Sequence, residues 1–320
     1  MRILVTGGAG FIGSHIVARL VADSHKVSVI DDLSAGRTSN LPRGVKFTKK
    51  ATKQISKQDV QGVDVVFHCA AQVSTFLSVD YPREDFDRNA NGTFSVFEAV
   101  RKYNDGAKVI YTSSRSVLGD IPAGKIADES FPYNPSTFYN VHKIYGELLC
   151  SIYNGLYGIK SAVLRPSNVY GPGQPYWMSG WYNFIAYWIK LGLEGKPLPI
   201  YGTGTQVRDY TYVDDIADAY MRAMDNRAAL GETFLLATGR PVTLNQLADM
   251  VNSVTGSAAG KQYFPPRKGD VQYFVGTSEK ASRVLGWSTK VSLEDGLKKE
   301  AEWVKADLKV KRKLPEPLKR

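Results

Sequence analysis

The spacing of apolar positions changes period along this chain, and the changes mark out its elements. Short, nearly continuous apolar blocks occur at residues 2–6 (RILVT), 26–31 (KVSVID), 63–70 (VDVVFHCA), 108–114 (KVIYTSS) and 161–166 (SAVLRP). Blocks of this length, rich in Val and Ile, predict strands buried on both faces. Between them the period lengthens to that of a helix, from about residue 12 to 22, over 89–103 (apolar at Phe94, Phe97 and Val100) and from about 139 to 157. Strands alternating with helices predict an α/β fold, a doubly wound parallel sheet with helices on both faces and right-handed crossovers. After Arg165 the texture changes. Residues 171–182 (GPGQPYWMSGWY) concentrate Gly, Pro and aromatics, which predicts a smaller, loop-rich second domain. Helical spacing returns at 213–225 and 244–256, and residues 234–238 (FLLAT) read as one more strand of the main sheet. The expected division is residues 1–166 plus approximately 207–238 in the first domain, and 167–206 plus 239–320 in the second.

The chain has 320 residues, enough for about two domains. Hydrophobic residues make up 43% and charged residues 22%, a globular composition. No apolar run reaches the ~18 residues of a membrane span. The opening MRILVTGGAGFIG meets a glycine cluster without a small-residue cleavage site, so no signal peptide is expected either. Cys69 and Cys150 form no disulfide framework or zinc pattern and suit a reducing cytoplasm. The histidines at 15, 25, 68 and 142 lack ligand spacing, so no metal is expected. The net charge is +10, yet the stretch from Lys305 to Arg320 holds seven Lys/Arg against Asp307 and Glu316. With no aromatics interleaved, it reads as a solvated helix end with a frayed tail, not a nucleic-acid surface.

Candidate chemistry begins at Thr6-Gly7-Gly8-Ala9-Gly10-Phe11-Ile12-Gly13, between the first strand and first helix. Gly7 permits a tight turn, Gly10 lets backbone approach a pyrophosphate, and Gly13 lets the helix pack close to the sheet. The helix N-terminus presents free N–H groups to the phosphates. Asp31 closes the next strand, where a carboxylate accepts hydrogen bonds from ribose hydroxyls and repels a 2′-phosphate. The combination predicts a Rossmann-type site for NAD in preference to NADP, with Arg37 the one nearby cation that argues the other way. A second cluster follows. Tyr139 and Lys143, at i and i+4, share a helix face. An ammonium beside a phenol favours the phenolate, so Tyr139 is expected to act as an acid/base on a hydroxyl with a pKa below its usual ~10. Ser114, at a strand end, is placed to hydrogen-bond the same oxygen.

The segments TGGAGFIGSH, VIDDLSAG, VFHCAAQVS, NANGTFSVFEAV, YTSSRSVLGD, YNVHK, LRPSNVYGPG, GTQVRDYTYVDDIAD, RKGD and LGW occur in the order of the extended short-chain dehydrogenase/reductase superfamily. From residue 1 to about 303 the chain resembles the UDP-glucose (galactose) 4-epimerases of that superfamily. The resemblance implies a catalytic trio of Ser114, Tyr139 and Lys143. It implies NAD contacts at Gly7, Gly10, Phe11, Ile12, Gly13, Asp31, Asp32, Ala70, Ala71 and Asn89 as well as at Tyr139 and Lys143. On the substrate side it implies Ser114 and Asn168, a uracil pocket of Leu198, Pro199 and Tyr201, and a pyrophosphate clasp of Arg208 and Arg267. It also implies Asp270 near a ribose, and Phe274 limiting the sugar pocket to a plain hexose.

The resemblance further implies interconversion of UDP-glucose and UDP-galactose by transient oxidation at C4. In the related dehydratases the two residues after the catalytic hydroxyl are Asp and Glu. Here they are Arg115 and Ser116, so elimination lacks its second acid/base whereas epimerisation needs none. Three positions depart from the family pattern: Leu118 replaces a Tyr, Ala51 replaces an Asp that meets the adenine, and Arg115 stands beside the catalytic serine either to meet the substrate or to face solvent. Two rival readings remain, an NAD(P)-dependent reductase or other epimerase of a different nucleotide sugar, and a non-catalytic NAD-binding protein. A homodimer is expected, through the outer faces of helices 89–103 and 139–154, with Val141, Ile144, Tyr145 and Leu148 supplying apolar surface.

Overall fold

A computed structural model describes residues 1–177, 184–267 and 269–310. Seven strands form one parallel sheet: β1 (Arg2–Thr6), β2 (Lys26–Asp31), β3 (Lys46–Lys49), β4 (Val65–His68), β5 (Lys108–Thr112), β6 (Ser161–Pro166) and β7 (Thr233–Leu236). Their spatial order is β3-β2-β1-β4-β5-β6-β7. Val5 of β1 lies opposite Val29 of β2 on one side and Phe67 of β4 on the other. Every residue of β4 and β6 is buried, His68, Ser161 and Arg165 included, as central strands covered on both faces require. The strand order reverses at β1, between β2 and β4, and that switch point is where a doubly wound sheet opens a crevice at its carboxyl edge.

Helices cover both faces. α1 (Phe11–Ala22) and, in chain order, the later helix Val213–Asp225 pack Ile16, Leu20, Ile216 and Tyr220 on one face. α2 (Gly92–Tyr103) and α3 (Phe138–Tyr157) pack Phe97, Val100, Leu149 and Tyr153 on the other. α3 starts where Thr137 and Asn140 cap each other, the Asn140 N–H donating to Thr137 Oγ1 at 3.4 Å and the Thr137 N–H to Asn140 Oδ1 at 3.1 Å. Further helices of seven residues or more are α4 (Phe184–Leu193), α5 (the Val213–Asp225 helix), α6 (Leu244–Thr255), α7 (Glu279–Leu285) and α8 (Leu293–Leu308). A second core gathers Trp188, Ile189, Leu198, Ile200, Leu247, Val251, Leu297 and Val304 from α4, α6, α8 and the strand Leu198–Tyr201.

The structure differs from the sequence reading in three places. β3, with a single large apolar residue (Phe47), carries no strand signal of its own and exists by pairing with β2 at the sheet edge. The helix expected from 89 starts earlier, as a π-helical turn over Phe86–Asn91. The interval 279–287, expected in the second domain, packs Ala281, Leu285 and Trp287 into the first core, where the Trp287 indole donates to the Asp215 carbonyl at 2.7 Å. Part of the aromatic-rich segment (178–183) and the basic tail from 311 lie outside the described residues, as does Lys268 of RKGD.

Candidate active site

The carboxyl ends of the strands open into a cleft of about 700 Å³ that both cores border. All the expected site residues line it except Asn89, Leu198 and Phe274. At one end the chain leaves β1 through Gly7 at φ +69°, where a Cβ would fall 2.6 Å from the Ala70 backbone. A Cβ on Gly13 would stand 2.2 Å from the Gly7 carbonyl oxygen, so only glycine lets α1 begin this close to the turn. α1 has neither a side-chain cap nor an acidic residue in its first turn. Its leading N–H groups are therefore open to an anion in the cleft, as a pyrophosphate requires.

Asp31 closes this end. Its carboxylate accepts from the Ala9 N–H at 3.0 Å and the Leu33 N–H at 2.8 Å, which fixes its position, and burial raises its pKa above the usual carboxylate value. A carboxylate offers about four acceptor sites, so two backbone bonds leave room for ribose hydroxyls. The cations near this rim are committed to carboxylates. Arg37 pairs with Asp307 at 3.3 Å and lies 3.2 Å from the Trp177 ring centre. Lys50 pairs with Asp59, and Arg88 with Asp32 at 3.2 Å and Glu84 at 3.0 Å. The charge that would hold a 2′-phosphate is spoken for, so the donor and acceptor set fits NAD. Ala51 lines the cleft and offers the adenine no side-chain hydrogen bond.

The reacting end lies at β5 and the first turn of α3. Tyr139 is 7% exposed and hydrogen-bonds to Ser114. Ser114 Oγ also accepts from the Ser116 hydroxyl at 2.8 Å and the Ser116 N–H at 3.1 Å, so a second serine orients the first. The Lys143 ammonium donates to the Thr112 carbonyl at 2.7 Å and lies 5.7 Å from the Tyr139 ring centre. The expected depression of the phenol's pKa is not what the site produces. Burial pushes Tyr139 well above the ordinary phenol value, opposed by the Ser114 hydrogen bond and the charge of Arg115. Burial also pulls Lys143 down to about 8. Behind the pair, Glu147 takes a forked contact from Arg165 at 2.7 and 2.9 Å and accepts from the Tyr133 hydroxyl at 2.8 Å.

Three expected contacts need correction. Phe274 is fully buried among Val117, Leu118, Leu235 and Ala237, and the Arg115 guanidinium lies over its ring at 4.9 Å, so it does not face a sugar. Leu198 points into the second core. Asn89 acts from behind, bonding the Gln72 backbone on both sides, at 2.9 and 3.0 Å, and Asp85 at 2.9 Å. Tyr201 reaches the cleft, but one face stacks on Phe264 at 5.3 Å and the Arg267 guanidinium lies 3.4 Å from its ring centre. A base can stack there only after Arg267 swings away.

Arg208 donates to Asp270 at 2.8 Å. Its neighbour Asp209 went unnoticed in the sequence. Wholly buried, it accepts from the N–H groups of Thr238 and Gly239 at 2.9 Å each and from the Thr238 hydroxyl at 2.8 Å, and its carbonyl takes the Asn168 amide at 2.8 Å. An Asp directly after a cleft Arg, in RDY, was the available signal.

Such a cleft, with a dinucleotide turn at one end and a serine-bonded tyrosine at the other, suits removal and return of a hydride at a carbon that bears a hydroxyl. It is the arrangement of NAD-dependent short-chain dehydrogenase/reductase enzymes. The sequence model of the NAD dependent epimerase/dehydratase family matches residues 3–237, and the chain belongs to that family. A UDP-glucose 4-epimerase of Mycolicibacterium smegmatis is 36% identical over 312 residues, covering 95% of this chain and 98% of its own. Among solved structures, the UDP-glucose 4-epimerase of Thermotoga maritima with UDP-glucose superposes with a TM-score of 0.91 at 36% identity, over 97% of this chain and 100% of that one. The UDP-glucuronic acid 4-epimerase of Bacillus cereus, in complex with UDP-glucuronic acid and NAD, gives 0.86 at 31% identity, over 96% and 99%.

Proposed function

We propose that the protein is a 4-epimerase of UDP-linked hexoses, working by transient oxidation at C4, with UDP-glucose and UDP-galactose the parent pair of the reaction. The observation that carries this reading is Tyr139, hydrogen-bonded to Ser114 in a cleft that ends at an uncapped helix N-terminus. NAD, when bound, supplies the hydride acceptor and, in its oxidised form, a positive charge beside the phenol. Tyr139 takes the proton of the sugar 4-hydroxyl and later returns it. Ser114 holds that oxygen in line, and Ser116 holds Ser114. The 4-keto sugar turns about its diphosphate and presents its other face. Arg208 and Arg267 are assigned to hold the diphosphate meanwhile, which places binding energy away from the reacting carbon.

Arg115 and Ser116, in place of an acid pair, leave the site with no carboxyl beside the catalytic serine to expel water, which favours epimerisation over elimination. An epimerase also needs no external reductant, unlike a reductase of the same scaffold. The test is Tyr139→Phe. It is expected to lower kcat by about 10²–10⁴-fold while UDP binding by calorimetry stays unchanged. Full turnover in this variant would remove the phenol from the mechanism.

A further inference from the structure

We propose that Arg115 determines the sugar class, taking a carboxylate at C6, so that the preferred substrate is a UDP-linked hexuronic acid. The inference rests on the 4-epimerase reading and deepens it. Arg115 follows Ser114 directly and lines the same cleft, so its reach is to the part of the sugar next to the 4-oxygen. In a hexopyranose that neighbour is C5 with its C6 substituent, while the diphosphate hangs from C1 across the ring.

The guanidinium has no carboxylate of its own. Nη2 donates to the neutral Asn168 Oδ1 at 3.2 Å, and the flat group lies over Phe274 at 4.9 Å. Nη1 is shut off from solvent and has no hydrogen-bond partner. The nearest acids are occupied. Asp270 pairs with Arg208 at 2.8 Å, and Asp120 accepts the Gln272 and Tyr273 N–H groups at 2.5 and 2.9 Å. A cation sealed in this way costs free energy unless an anion meets it. Burial and the repulsion of Arg208 pull its pKa down to about 10, which registers that cost while leaving the group charged at neutral pH. A planar fork with a spare N–H matches a carboxylate in a way that a single hydroxyl does not. The stacked phenyl ring beneath holds the fork in place, and with it the choice of partner.

The test compares UDP-glucuronate with UDP-glucose in the wild type, in Arg115→Met and in Arg115→Lys, each checked for folding by thermal melt and for UDP binding by calorimetry. The readout is the ratio of kcat/KM, acid over neutral. The wild-type ratio is expected to exceed about 10, to fall about 100-fold in Arg115→Met, and to recover in part in Arg115→Lys. A wild type that prefers the neutral sugar overturns the inference and leaves the epimerase reading standing. So does a loss shared equally by both sugars, which would assign the guanidinium to the diphosphate. If Arg115→Met does not fold, the wild-type ratio and the affinities of the two sugars for wild-type protein decide alone. Failure of every UDP-sugar to epimerise would sink both readings together.

Discussion

In the proposed reaction Tyr139 reaches its acid/base role by way of what binds beside it. Burial holds the phenol protonated, and Lys143 bonds the Thr112 carbonyl instead of the phenol oxygen. Lys143 therefore acts as an anchor and a nearby charge, so Lys143→Met should weaken cofactor retention along with kcat. Asp31 has a separable task at the other end. Asp31→Asn keeps the shape but removes the charge that repels a 2′-phosphate. The expected result is NAD binding weakened by about tenfold, the loss of one charge-assisted hydrogen bond, and reduced discrimination against NADP, read by fluorescence titration with both dinucleotides. Unchanged selectivity would move the discrimination elsewhere, to the Arg37–Asp307 or Arg88–Asp32 pairs.

Among the elements, α3 matters most because its first turn presents Tyr139 and its second Lys143. Removing its cap with Thr137→Ala should cost about 1 kcal/mol of stability, seen as a fall of about 2 °C in Tm. α8 carries a different liability. Glu300 is wholly buried, and burial raises its pKa to about 8 against the opposing pull of the Gly171 N–H. Between the ordinary glutamate value of 4.5 and that raised value the folded state keeps a proton that the unfolded state has lost, so stability falls as pH rises through this window. Glu300→Gln removes the dependence, and its Tm advantage over the wild type should widen from pH ~5 to pH ~8. Equal shifts at both values would show that the carboxyl is not held neutral.

The elements also explain what the sequence could and could not reveal. β1, β2, β6 and α5 were legible to the residue because each carries an apolar run or a helical period of its own. β3 was not, since its existence depends on a neighbour's edge. Glycines at the turn and the Tyr/Lys spacing were readable because the chemistry fixes those residue types. Phe274 and Leu198 were misplaced because a linear motif does not say which side of a bridge or strand a side chain takes. The Arg37–Trp177–Asp307 contact joins residues 270 positions apart, from loop to α8, and no local pattern announces it.

For the whole molecule, the outer surface of α3 bears directly on assembly. Phe138, Val141, Leu148, Ile152 and Leu156 are each about half exposed or more, recurring every one or two helical turns, and Phe94 of α2 is also exposed. An apolar stripe along two adjacent helices suits an isologous four-helix contact between two copies. Ile144 does not belong to it, since it packs inward against the cluster around Val117 and Phe274. Leu148→Asp is expected to convert a dimer into a monomer by sedimentation, and a wild type that sediments as a monomer would refute the assembly. Among the described residues no helix is long and apolar enough to cross a membrane.

In the proposed reaction hydride leaves C4 and comes back to the same carbon. The direct measurement uses a UDP-hexose or UDP-hexuronate labelled with deuterium at C4, incubated with the purified protein in ordinary water and without added reductant, with the products followed by proton NMR. Epimerised product that keeps the deuterium at C4 is the predicted result. Product carrying hydrogen from solvent at that position would contradict it.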